Sequence, residues 1–144
     1  MKRKVRMGHC YRCVYTWRMR RRVPSMCPRC KSRLYDTPKI YPVVEGQGLG
    51  IGEILAPHRS EVLRIARKFG ASKVWVFGSV RRREASQGSD VDLMVSWVGP
   101  HSLLQRVALQ QALETVLGRP VDVVNRGGLH WSIEPQVEAE AVPL

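Results

Sequence analysis

A chain of 144 residues has room for one ordinary domain, or for a compact domain plus a mini-domain too small to bury a core of its own. No apolar run approaches the ~20 positions of a membrane span, and the opening MKRKVRMGHC lacks the apolar segment of a secretory signal, so a soluble cytoplasmic protein without membrane association is expected. The formal net charge of +12 is unevenly spread: residues 1–35 hold 12 Lys and Arg and no acid, while 36–144 hold 12 of each sign. A basic block on a balanced body predicts a polyanion-binding segment, the alternative being a solubilising tail.

Residues 1–36 contain all four cysteines, as Cys10-x2-Cys13 and Cys27-x2-Cys30 separated by 13 residues. Thiolates two apart can turn onto one cation, and two such knuckles supply the tetrahedral set of a closed structural zinc site. Two disulfides, or an iron site built on similar knuckles, are the alternatives. Four sulfurs leave no position for water, so the expected role is to fold a segment too short to fold otherwise. Between the knuckles lie Arg18, Arg20, Arg21 and Arg22, just after Tyr15 and Trp17. Basic residues beside aromatics suit phosphate contact with base stacking, in DNA or RNA, although Trp17 is equally suited to pack beneath the metal site. With four cysteines present, His9 is expected as a surface or phosphate-contacting residue rather than a ligand.

Residues 37–56, TPKIYPVVEGQGLGIGEILA, are rich in Pro and Gly and read as a linker; GQGLGIG is not followed by the Gly-Lys-Ser/Thr of a phosphate loop. From 57 to 69 the apolar positions fit an amphipathic helix closed by Gly70. Strands are expected at 73–77 and 90–98, a helix at 102–117 ended by Gly118, a strand at 120–124 and a helix at 132–142.

The chemistry-bearing residues lie on the strands. Residues i and i+2 share a face, so Asp90 and Asp92 point together while Val91 and Leu93 enter the core. Two adjacent carboxylates repel unless a cation lies between them, and magnesium is the hard ion that oxygen donors suit; a solvated turn is the alternative. Asp122 interrupts the apolar run of the third strand, where a charge is rare unless paired or metal-bound. Three aspartates could hold two metals, and Gly78, Ser79 and the arginines that follow could receive a triphosphate.

Two resemblances follow from these motifs. Residues 8–35 resemble zinc ribbons, which bind DNA, RNA or protein. Gly78-Ser79, Ser89-Asp90-Val91-Asp92-Leu93 and Val121-Asp122-Val123-Val124, with EAVPL at the end, resemble minimal nucleotidyltransferases of the DNA polymerase β superfamily over residues 57–144. The resemblance implies an α+β fold, a small zinc ribbon (1–36) and linker (37–56) preceding a minimal nucleotidyltransferase domain (57–144) with a mixed sheet flanked by helices. It further implies that Asp90, Asp92 and Asp122 are catalytic and hold two Mg2+ ions, that Gly78, Ser79 and Arg82 bind the nucleotide, and that ATP is the substrate. Arg81 and Arg83 depart from the family, which commonly has a small residue and a glycine there. Similar minimal enzymes are antitoxins that transfer AMP to a tyrosine of a HEPN-type toxin. That is the expected function; RNA as acceptor, or a non-catalytic DNA- or toxin-binding module, are the alternatives.

Overall fold

The structure is a computed structural model and describes residues 7–19, 23–38, 40 and 44–144. The cysteine segment opens with a short antiparallel hairpin, β1 (Met7–His9) and β2 (Thr16–Arg18), in which Gly8 faces Trp17. A Cβ on Gly8 would lie 2.6 Å from the indole, so only glycine fits there. The segment's buried residues are Cys10, Cys27 and Tyr35, with Trp17 packed partly against them and the Tyr35 hydroxyl donating to the Pro24 carbonyl at 2.8 Å. Trp17 therefore packs beneath the cysteines, while Tyr15 stays exposed with the Arg29 guanidinium 5.7 Å from its ring.

The second half of the expected linker is packed rather than free. Gly46 and Gly48 donate to the carbonyls of Arg82 and Arg83, and Leu49 pairs with Ala85. A side chain on Gly46 or Gly48 would come within 2.7 Å of a backbone oxygen, which explains a glycine-rich sequence without invoking flexibility. A single helical turn, α1 (Ile51–Ile54), then carries Ile54 and the following Leu55 into the core of the C-terminal region.

The elements expected beyond residue 57 are present, with shifted ends. A short 3-10 turn (Ala56–His58) leads into α2 (Arg59–Lys68), with Glu61 in its first turn and Arg67 and Lys68 in its last, as the helix dipole favours. β3 (Ala71–Phe77) runs directly into a helical turn, α3 (Gly78–Arg81). β4 (Val91–Trp97) follows, and then α4 (Leu103–Leu117), capped by the Ser102 hydroxyl accepting from the Gln105 amide and closed by Gly118 in the left-handed region. β5 (Val121–Asn125), α5 (Glu134–Glu140) and a two-residue edge strand, β6 (Val142–Pro143), complete the chain.

The sheet order is β5-β4-β3-β6, with β4 and β5 parallel and the other neighbours antiparallel. Val74 and Val76 of β3, Val91, Leu93 and Val95 of β4, and Val121 and Val123 of β5 face α2 and α4, where Val62, Ile65, Leu109 and Leu113 cover them. Each fully buried Val or Leu contributes roughly 1.5–3 kcal/mol, so this face holds the domain together. Period-two alternation leaves the opposite face to Trp75, Phe77, Asp92, Met94 and Asp122, and there the site is built. Among the described residues no helix is long and apolar enough to cross a membrane.

Candidate active site and metal centre

The four cysteines converge. The Cys10 and Cys30 sulfurs lie 3.7 Å apart, as do those of Cys13 and Cys27, and all four fall within 4.8 Å of one another. Sulfurs at ~2.3 Å from a tetrahedral zinc stand about 3.8 Å from each other, so the residues present fit that ion. Backbone amides of Arg12, Arg29 and Cys30 point at the sulfurs of Cys10 and Cys27 at 3.3–3.5 Å, which favours thiolate. Burial opposes ionisation at Cys27, but the Cys30 and Arg29 amides and the Cys10 and Cys13 thiols outweigh it and bring its pKa down to about 6. Burial dominates at Cys13 and pushes it up to about 11.

The predicted acids sit where β4 and β5 run side by side. Asp92 and Asp122 are register partners on adjacent parallel strands, and Asp90 lies two residues earlier, just before β4. Asp90 and Asp122 are exposed and Asp92 is half-buried. Burial first, then the charges of Asp122 and Asp90, raise the Asp92 carboxyl above its ordinary range; Arg82 pulls the other way and Glu140 adds to the rise. Three oxygen-donor carboxylates, two of whose charges bear on the half-buried Asp92, fit divalent magnesium chemically. Ligand atoms drawn within 4.8 Å are found, among the described residues, only at the four cysteines, so the aspartates form the more open group.

Gly78 joins β3 to α3 directly over Asp92. Its φ is +72°, and a Cβ there would stand 2.1 Å from Asp92 Oδ2, so both backbone and space demand glycine. Ser79, next in α3, is half-buried, and its carbonyl accepts from the Glu84 amide at 2.8 Å. The Gly78 amide is engaged by Glu140 Oε1 at 2.9 Å. Arg82 lies between two carboxylates: Nε donates to Glu84 at 2.9 Å and Nη1 to both oxygens of Glu140 at 3.2 Å. Glu140 is thus the buried acid of the C-terminal region, 5% exposed, and its carboxylate takes up the amide and the guanidinium expected to meet phosphate.

The two departures from the family pattern now have physical accounts. Arg83 keeps the left-handed backbone a glycine would provide, φ +58°, a conformation that costs an L-residue about 1–2 kcal/mol. Its guanidinium bonds Glu53 at 3.0 Å and the Gly48 carbonyl at 3.4 Å, tying α1 to the turn after α3. Arg81 donates to the Glu140 carbonyl at 2.9 Å and approaches Glu45 at 3.7 Å. Both arginines brace the loop through segment 44–53, which explains why that segment is packed.

Sequence reasoning missed several contributors. Glu140 was visible only as the acid of EAVPL, and its role depends on α5 returning to α3. Arg119 donates to the carbonyls of Ser86 and Ser89 at 3.2 Å and so holds the loop leading to Asp90. His9, expected at the surface, is half-buried: its ring lies 4.6 Å from Trp131 and 4.5 Å from Tyr11, and its Nε2 is buried without a hydrogen-bond partner. Of the basic residues assigned to nucleic acid, Arg18 is exposed on β2, and Arg20, Arg21 and Arg22 lie outside the described residues.

Comparison with known proteins agrees with this geometry. The family described as "Nucleotidyltransferase domain" matches residues 59–144. Protein adenylyltransferase MntA of Thermococcus cleftensis is 38% identical over 92 residues, which cover 64% of this chain and 90% of that protein. A solved minimal nucleotidyltransferase superimposes with a TM-score of 0.59 at 41% identity, covering 69% of this chain and 100% of the other. A toxin-antitoxin structure with AMP-PNP shares the fold, with a TM-score of 0.53 at 21% identity over 58% of this chain and 69% of that one. The glycine turn over paired strand aspartates, and the relatives that cover the same residues, place this chain in the nucleotidyltransferase domain family as a minimal, MNT-type nucleotidyltransferase with a four-cysteine module before it.

Proposed function

We propose that this nucleotidyltransferase transfers AMP from ATP to a tyrosine of a HEPN-type toxin, acting in the cytoplasm as the antitoxin of the pair. The observation that carries the reading is the 38% identity to a protein adenylyltransferase across 90% of its length. The tyrosine oxygen would bond to the α-phosphorus as the bond to pyrophosphate breaks, and the exposed Asp122 would take the phenolic proton. Asp90, Asp92 and Asp122 would hold two magnesium ions, which when bound supply charge neutralisation of the triphosphate and a more acidic acceptor hydroxyl. Gly78 and Ser79 would bind the triphosphate, and Arg82 would neutralise it after exchanging a carboxylate for phosphate. The cysteines would hold zinc and fix the knuckle loops.

The test is neutralisation. Asp90→Asn with Asp92→Asn should abolish protection against the toxin in cells while folding and toxin affinity persist. A double variant that still neutralises would assign the chain to the binding-module alternative.

A second reading, RNA as acceptor, is favoured by the 12 basic residues without an acid in residues 1–35. DNA or RNA held there should bind with a steep salt dependence, and Arg20→Ala, Arg21→Ala and Arg22→Ala together should flatten it. An unchanged slope removes nucleic acid from the account.

A further inference from the structure

The four-cysteine module reaches the active site. Tyr11, in the first knuckle between Cys10 and Cys13, meets Trp131 edge-on at 5.7 Å, and His9 completes a three-ring contact between the module and the loop before α5. Beside this contact opens a cleft of about 490 Å³. Gly78, Arg82 and Glu140 line it, the Glu140 carboxylate holding the other two, while Phe77, Ile133 and Val137 give it apolar surface and Tyr11 adds an aromatic ring to the same lining. Ile133 is 51% exposed, an apolar side chain left open in a cleft that also carries polar groups.

This combination suits one part of a nucleotide. A triphosphate placed at Gly78, Ser79 and Arg82 must send its nucleoside somewhere, and a purine needs apolar or aromatic surface on its faces. The cleft adjoins the phosphate end and offers that surface. Its tyrosine is contributed by the cysteine module, not by the nucleotidyltransferase fold.

We propose that the donor's nucleobase binds in this cleft against Tyr11, so that the cysteine module supplies a specificity-determining residue for the transfer reaction. The inference rests on the nucleotidyltransferase reading and adds a binding role for the module. A nucleobase wall made of a knuckle residue also makes donor affinity depend on the folding of the knuckles.

The experiment is calorimetric titration of the full chain with magnesium and a non-hydrolysable ATP analogue, and separately with tripolyphosphate, which has no base. Tyr11→Ala should weaken the analogue about tenfold, as expected for a lost base–aromatic contact, and leave tripolyphosphate unchanged; Tyr11→Phe should retain parental affinity. Equal analogue affinity in parent and Tyr11→Ala overturns the proposal, as does an equal loss for both ligands. Photolabelling of the unaltered protein with an azido-adenine nucleotide needs no variant: label on the peptide containing Tyr11 supports the wall, and label confined to other peptides overturns it. A parent that binds neither analogue nor tripolyphosphate overturns the nucleotidyltransferase reading itself, a distinguishable result.

Discussion

The two regions of this chain are held together by different physics. The sheet domain buries a continuous apolar face of Val, Leu and Ile between β3, β4, β5 and helices α2 and α4. The cysteine module buries Cys10, Cys27 and Tyr35 around four sulfurs, with Trp17 partly covering them. One region carries its stability in area removed from water; the other concentrates it at a point a metal can occupy. Each region therefore fails in its own way. The sheet domain can tolerate strain and like charge at its candidate site because its core lies on the opposite face, whereas the described residues of the module bury only Cys10, Cys27 and Tyr35.

The largest effect should come from breaking the point-like region. Chelation, or Cys27→Ser, should unfold the cysteine module, residues 1–36, and leave the sheet domain folded, since structural zinc supplies on the order of 10–16 kcal/mol in modules of this kind. Hydrogen exchange read by mass spectrometry would show protection lost in the module and kept in β3, β4 and β5. Simultaneous loss in both regions would mean that they share one cooperative core.

Gly78→Ala should come next. A methyl group 2.1 Å from Asp92 Oδ2, at φ +72°, must displace either the turn or the carboxylate. Transfer activity should fall by about a hundredfold or more, the cost of a misplacement of about an ångström, while thermal stability falls modestly. Near-parental turnover would show that the turn and Asp92 need not be so close.

A smaller loss is expected for Glu140→Gln, which keeps an acceptor for the Gly78 amide but removes the charge facing Arg82. Arg82 is partly open to solvent and retains Glu84, so the destabilisation should be about 1–2 kcal/mol in denaturant titration, below that of a fully buried pair. An unchanged midpoint would remove Glu140 from the supports of the loop.

The smallest effect concerns Asp92, where the expected change is a gain. Its carboxyl is raised in the folded protein by burial, Asp122 and Asp90, with Glu140 adding and Arg82 opposing. A raised acid favours folding when protonated, and that contribution is lost as pH climbs past the unfolded value and through the folded one. Without added magnesium, Asp92→Asn should therefore melt higher than the parent at neutral pH, with the difference shrinking toward acid. A lower melting temperature at neutral pH would contradict the charge crowding drawn for this site.

Much of the sheet domain was legible because its residues repeat with the period of their elements. Alternation in VWVF, VDLMV and VDVV marked the strands, and Gly70 and Gly118 marked helix ends with a backbone only glycine adopts readily. Asp90 and Asp92 stood out because strand alternation puts both on one face, Asp122 because a charge interrupts an apolar run, and the cysteines because of their spacing. The rest depended on contacts between distant segments. Nothing in GQGLGIG distinguishes a free linker from a segment bridged to Ala85, and β6 is too short to show a period. Glu140 reaches Gly78, 62 residues away, and Tyr11 meets Trp131 across the whole chain, contacts that no local pattern encodes.

The most direct test of the central claim is transfer itself. The purified protein would be incubated with magnesium, α-labelled ATP and the product of the neighbouring gene, beside Asp92→Asn and a parallel reaction with γ-labelled ATP. α-Label is expected on a tyrosine of the neighbour, none from the γ-phosphate, and none with the variant. A neighbour that stays unlabelled while bound tightly to the active protein would contradict that claim.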